Sequence, residues 1–186
     1  MYQSKNVTSG DNQQETIRWL EKIPNDIGHY ISGFVDGEGS FNISIRRHPG
    51  YKLGWKTSLT FNVSQKGVRS LKLLYRIFQC GYVRKRWDNL HYFEILDFKK
   101  IVSRVIPFFT KFQLRSEKRR DFLIFRRIAE LVKEGKHLTA NGIKKILELR
   151  QPMNYGGKNR RLKAQVILAH LIGSSETIRQ SRRKAI

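Results

Sequence analysis

Asp36 and Glu38 stand two positions apart in Gly33-Phe34-Val35-Asp36-Gly37-Glu38-Gly39, at the end of a stretch where Ile27, Tyr30, Ile31, Phe34 and Val35 recur at helical spacing. Two acids there sit against the negative end of the helix dipole, which disfavours each exposed anion by roughly 0.3–1 kcal/mol. A local misfit of this kind marks a functional position. Carboxylate oxygens are ligands for hard divalent cations, and such cations held on a basic surface suit phosphodiester hydrolysis.

Gly33 and Gly37 fall four residues apart on one helical face, and each weakens the helix by about 1 kcal/mol relative to Ala. Close backbone contact explains that cost. Only one such helix is present in the chain, so the economical contact is twofold, between two copies of it. The expected interface uses Tyr30, Gly33, Phe34 and Gly37, and the expected state is a homodimer. Two copies of Glu38 would then approach each other, and a bridging cation offsets their repulsion. Asp36 is expected to serve the helix end rather than the cation.

Thirty-seven Lys and Arg against fifteen Asp and Glu give the 186-residue chain a net charge of +22. The excess runs through the centre and the end of the sequence, which points to a polyanionic partner. No apolar run is long enough to cross a bilayer, and the polar start has no signal-peptide core; neither a membrane partner nor secretion is expected. A single cysteine, Cys80, excludes an internal disulfide and fits a reducing compartment. The five histidines lack metal-ligand spacing, which argues against structural zinc.

The remaining pattern supplies the scaffold. Residues 1–25 form a polar extension, loose to about residue 15, with a short docking turn at Ile17-Arg18-Trp19-Leu20. Residues 26–135 form the core. After the first helix, period-two alternation gives a strand from Ser40 and a second from Trp55, joined across His48-Pro49-Gly50. Val68 to Phe78 is helical, Tyr82–Trp87 and Leu90–Leu96 make a second hairpin, and a short helix from Asp97 halts near Pro107. Ser116 caps a longer helix that ends at Gly135. Residues 136–186 form a basic helical extension, frayed from Ser174.

The stretch Tyr30-Ile31-Ser32-Gly33-Phe34-Val35-Asp36-Gly37-Glu38-Gly39-Ser40-Phe41 strongly resembles the signature of the LAGLIDADG homing endonucleases, with Ile31-Ser32 in place of the usual Leu-Ala. The element order over Asp26–Gly135 matches as well. The resemblance implies an α+β, αββαββα fold whose curved antiparallel sheet saddles the major groove of double-stranded DNA, plus the helical C-terminal extension. A single motif implies the homodimeric branch, which cuts long, partly palindromic sites and leaves short 3′ overhangs. It implies Mg²⁺, with Mn²⁺ or Ca²⁺ able to substitute for binding, held by Glu38 and Gly37.

Further roles follow from the same resemblance. Gln65 corresponds to a residue that orients water, and Arg69 and Lys118 to basic groups near the scissile phosphate; Lys111 and Arg119 are the alternatives to Lys118. The polar strand faces offer base readers: Asn42, Ser44, Arg46, Lys56, Ser58, Thr60, Asn62, Lys66, Tyr82, Arg84, Arg86 and His91. The resemblance implies an intracellular protein in whatever compartment holds its target, a bacterial or archaeal cytoplasm or an organelle. An RNA-binding intron maturase, with intron RNA as partner, is the alternative within the family. A non-catalytic DNA-binding regulator is the other, disfavoured by the intact motif acids.

Overall fold

The computed structural model describes residues 9–157 and 162–171. The tail expected to fray, from residue 174, lies outside them. Two helices open the chain, α1 (Ser9–Glu21) and α2 (Asn25–Glu38). Strands β1 (Gly39–Arg47) and β2 (Trp55–Gln65) follow, then α3 (Arg69–Phe78) and strands β3 (Tyr82–Lys85) and β4 (His91–Ile95). A helical run holds α4 (Phe98–Lys100), a π-helical turn (Ile101–Val105) and α5 (Ile106–Lys111). Next come α6 (Lys118–Lys133) and α7 (Ala140–Arg150), and residues 164–171 are helical. The strands form one four-stranded sheet in the order β1-β2-β4-β3, with β4 antiparallel to both β2 and β3.

The chain divides into two compact units, one of residues up to Asn42 with Leu59–Phe122, the other of Ile43–Ser58 with the residues from Leu123 on. In the first unit, the inward positions of the strands and the apolar stripes of the helices converge on an aromatic core. Phe41, Phe61, Phe78, Phe93, Phe108, Phe109 and Phe112 are all fully buried. Phe78 is central, with its ring 4.9 Å from Phe108 and 5.6 Å from Phe61, between centroids. Such tilted and edge-on pairs add to the burial of their area. In the second unit, α7 buries Ile143, Ile146 and Leu147, and the buried Arg150 donates to the Ile43 carbonyl at 3.2 Å. There Trp55 donates through Nε1 to His170 Nδ1 at 3.3 Å.

Two expectations need correcting. Among the described residues before Asn25, Ser9–Glu21 form a 13-residue helix where a loose stretch and a short turn are expected, and residues 1–8 of that stretch lie outside the described residues. Its anchor is Trp19, buried against Phe78, whose indole N–H donates to the Ile77 carbonyl at 2.8 Å. Tertiary docking stabilises a helix that its own polar composition does not announce. Pro107 does not halt the second short helix either. It sits at the start of α5, which follows the π-helical turn directly, and the helical run continues to Lys111.

α2 is fixed to the first unit through Gly28, Ile31, Ser32 and Val35, with the Ser32 hydroxyl donating to the Phe112 carbonyl at 2.9 Å. A Cβ at Gly28 would run into the Phe112 ring. Gly28→Ala is therefore expected to lower stability by about 1–3 kcal/mol through overpacking. Urea denaturation measures it, and an unchanged midpoint would show that the ring yields freely.

Candidate active site and nucleic-acid interface

α2 passes directly into β1 without a loop: Glu38 is its last helical residue and Gly39 the first of the strand. Glycine is required at that junction, because a Cβ at Gly39 would lie 2.8 Å from the Val35 carbonyl oxygen. The two acids of the motif part company here. Asp36 accepts from the Arg115 N–H at 2.6 Å, from the Ser116 N–H at 3.3 Å and from the Ser116 hydroxyl at 2.8 Å. It ties down the segment leading into α6. Glu38 is exposed and has no hydrogen bond or ion pair among the described residues.

Asp36 also decides which cation reaches the end of α2. The Ser116 hydroxyl it holds accepts from the Lys118 N–H at 3.2 Å, and the Lys118 ammonium donates to the Gly39 carbonyl, one residue beyond Glu38. Lys111 points elsewhere, to the Leu20 carbonyl at 3.1 Å. Gln65 is the last residue of β2, and Arg69 opens α3 and is exposed. Neither hydrogen-bonds to Glu38 or Lys118 among the described residues. The structure thus joins Lys118 to the Glu38 end of α2 and leaves Gln65 and Arg69 as separate groups.

The Glu38 carboxylate and the Gly37 carbonyl, which the helix end leaves without an intrahelical partner, are oxygen donors of the kind that hard divalent cations take. With Asp36 committed, one chain offers a single uncommitted carboxylate here. No cluster of three or more His, Cys, Asp or Glu side chains that could hold a metal occurs among the described residues. The donor set suits a hard divalent cation without completing a ligand shell within one chain.

The outward face of α2 carries Tyr30, which is 53% exposed, the exposed Gly33 and Gly37, and a half-buried Phe34 stacked on Tyr30. Beyond its own helix, a Cβ at Gly33 or at Gly37 would meet no atom within 4 Å. Nothing among the described residues therefore requires glycine at either place.

Register assigns the strand residues to faces. In the first unit Asn62 pairs with Glu94, Ser64 with Tyr92, Tyr82 with Glu94 and Arg84 with Tyr92, on the side away from the buried Phe61, Val63 and Phe93. Thr60 shares that parity in β2, as does Asn42 in β1, and Lys66 lies one residue past the end of β2. In the second unit the polar positions are Ser44, Arg46, Lys56 and Ser58, alternating with buried Ile43, Ile45, Trp55 and Thr57. Arg86 lies past the end of β3, in the turn, ion-paired with Asp88 at 3.1 Å.

His91 is on the other side of the sheet. It pairs with Gln65 and Lys85, in the parity of Phe93, and its Nδ1 lies 2.9 Å from the Lys66 carbonyl oxygen. Sequence reading missed Tyr92 and Glu94 on the polar face. Two aromatic residues in succession, Tyr92-Phe93, blur the alternation that separates the faces. The order polar, apolar from Glu94 to Ile95 was the available signal.

No helix among the described residues is long and apolar enough to cross a membrane. Comparison with known proteins places these features in a family. Residues 31–129 match the family model described as "LAGLIDADG endonuclease". A relative from Neurospora crassa, "Probable intron-encoded endonuclease 2", is 37% identical over 131 residues, which are 68% of this chain and 29% of that protein. The chain thus spans under a third of the length of that curated relative. Among solved structures, the homing endonuclease I-TnaI superposes with a TM-score of 0.67 at 32% identity, over 84% of this chain and 98% of that one. The LAGLIDADG homing endonuclease I-LtrWI, solved bound to target DNA, gives 0.68 at 33% identity over 77% of this chain and 47% of that one. With the motif end of α2, the sheet and the α6 start inside the matched region, the chain belongs to the LAGLIDADG endonuclease family.

Proposed function

We propose that the chain is a site-specific endonuclease of double-stranded DNA that works as a homodimer on a long, partly palindromic site and leaves short 3′ overhangs. The observation that carries this reading is the contrast within the motif: Asp36 is bonded by Arg115 and Ser116, whereas Glu38 is exposed and uncommitted beside two glycines that no described residue requires. Glu38 and the Gly37 carbonyl of each copy would hold the cation, Mg²⁺ in the cell. When bound, that cation supplies Lewis-acid stabilisation of the charge developing at phosphorus.

The protein's own groups do the positioning. Lys118 brings a cation to the end of α2, Arg69 neutralises phosphate charge as the backbone is seated, and Gln65 orients the attacking water. The polar strand faces enter the major groove, where each base pair presents a distinct set of donors and acceptors. Among the relatives, one is titled a DNA endonuclease and another was solved on its target DNA, which supports duplex DNA as the substrate here. The intron-encoded relatives support a compartment holding intron-bearing DNA.

Selection of cleaved sites from a randomised duplex library with Mg²⁺ tests the reading. The expected product set is one family of long sites with twofold-related halves. Absence of any cut duplex overturns it.

A further inference from the structure

Glu94 is the one acidic residue in the four strands of a chain that carries +22, and it faces the side of the sheet that the duplex reading above assigns to DNA. A carboxylate there repels the phosphate backbone, so it weakens binding to every sequence unless it accepts a hydrogen bond from some of them. Its surroundings fix it in place. The Tyr82 hydroxyl donates to Glu94 Oε2 at 2.5 Å, the two residues being directly opposite in register. The Arg84 guanidinium lies over the Tyr82 ring, 4.2 Å from its centroid, and the Tyr92 ring meets Tyr82 edge-on. Asn62, Ser64, Arg86, Tyr92 and Glu94 together line a shallow depression. Burial, then the hydrogen bond to Glu94, push the Tyr82 phenol up to about 12, so the donor persists at neutral pH.

An ionised carboxylate only accepts. With Oε2 taken by Tyr82, Oε1 has no partner among the described residues and can accept from the groove. In the major groove guanine offers two acceptors and thymine an acceptor and a methyl. Adenine offers an amino donor beside the acceptor N7, whereas cytosine offers an amino donor with no acceptor of its own. Only cytosine meets a fixed carboxylate without repulsion. We propose that Glu94, held by Tyr82, reads one cytosine in each half of the DNA site. The proposal rests on the duplex-DNA reading and adds to it a base identity.

Binding-site selection from a randomised duplex library, run in parallel with the unaltered chain, Glu94→Gln, Glu94→Ala and Tyr82→Phe, tests it. The unaltered chain should enrich cytosine at one position per half-site by about ten-fold or more. Glu94→Gln should shift that position toward adenine, since a Gln amide can bond the N6 donor and N7 acceptor together, and Glu94→Ala should leave it without preference. Tyr82→Phe should weaken the cytosine preference without creating one for adenine. In each variant the preferences at other positions should persist. If Glu94→Gln and Glu94→Ala leave every preference as it was, or blur all positions alike, the assignment of Glu94 is overturned while DNA binding stands. If the unaltered chain enriches no duplex, the underlying duplex reading fails and this inference with it.

Discussion

Glu38→Gln should lower cleavage by at least about 10³-fold while leaving affinity for the DNA site intact, because it deletes a charge that holds the cation but none that holds the phosphates. The substitution keeps the side-chain shape, and Glu38 makes no hydrogen bond or ion pair among the described residues, so thermal stability should not fall. Removing divalent cations from the unaltered protein with a chelator should produce a loss of the same order. Asp36→Asn gives the contrasting pattern. It weakens the bonds to Arg115 and Ser116 that position Lys118, so stability should drop by about 1 kcal/mol or more along with activity. Single-turnover cleavage, filter binding and thermal melts separate the outcomes. Glu38→Gln cutting within about ten-fold of the unaltered rate would move the active site away from the end of α2.

Gly33→Leu should weaken self-association by about 10²-fold or more and abolish double-strand cutting without harming the fold of the single chain. A side chain at Gly33 has open space around it, and replacing a mid-helix glycine should raise helix stability by up to about 1 kcal/mol. The loss appears only where a second helix must come close, since added bulk there drives the two axes toward the ordinary 8–10 Å separation or beyond. Sedimentation with and without DNA reads the association, and a melt reads the fold. A Gly33→Leu chain that still dimerises and cuts would place the interface elsewhere. A chain that fails to fold would show that Gly33 has a partner inside the molecule.

Much of the scaffold was legible because its periodicities are clean. Ile27, Ile31 and Val35 mark the packed side of α2, and Phe41, Ile43 and Ile45 mark the inward side of β1. Where the pattern failed, a distant contact decided the outcome. α1 is polar along most of its length and is held by Trp19 and by Arg104, which is paired with Glu15 at 2.6 Å. No local pattern reveals those partners. His91 falls in the parity of Phe93 and Ile95 rather than on the polar face, a placement that the period of two within β4 carries but that the successive aromatics Tyr92-Phe93 obscure in the sequence. Asn89 takes a left-handed conformation, with φ of 63°.

The candidate site divides the same way. Glu38 stands out because acids at a helix C-terminus are energetically misplaced, and Asp36, expected to serve the helix end, instead bonds the Arg115-Ser116 segment. What the sequence left open was the choice among Lys111, Lys118 and Arg119. In so basic a segment no spacing distinguishes them. The structure separates Lys118 from Lys111 through the Asp36–Ser116–Lys118 chain of hydrogen bonds, a tertiary relation spanning some eighty positions of sequence.

The central claim is that Glu38 is half of a site completed by a second copy of the chain, and a mixing experiment tests it most directly. Unaltered and Glu38→Gln chains are equilibrated together at fixed total concentration, and double-strand cleavage of a selected site is followed as the proportion varies. If both copies of Glu38 are needed, the rate should follow the square of the unaltered fraction, falling to about one quarter in an equal mixture. A linear fall, to about one half in that mixture, would mean that each chain cuts by itself and would contradict the account.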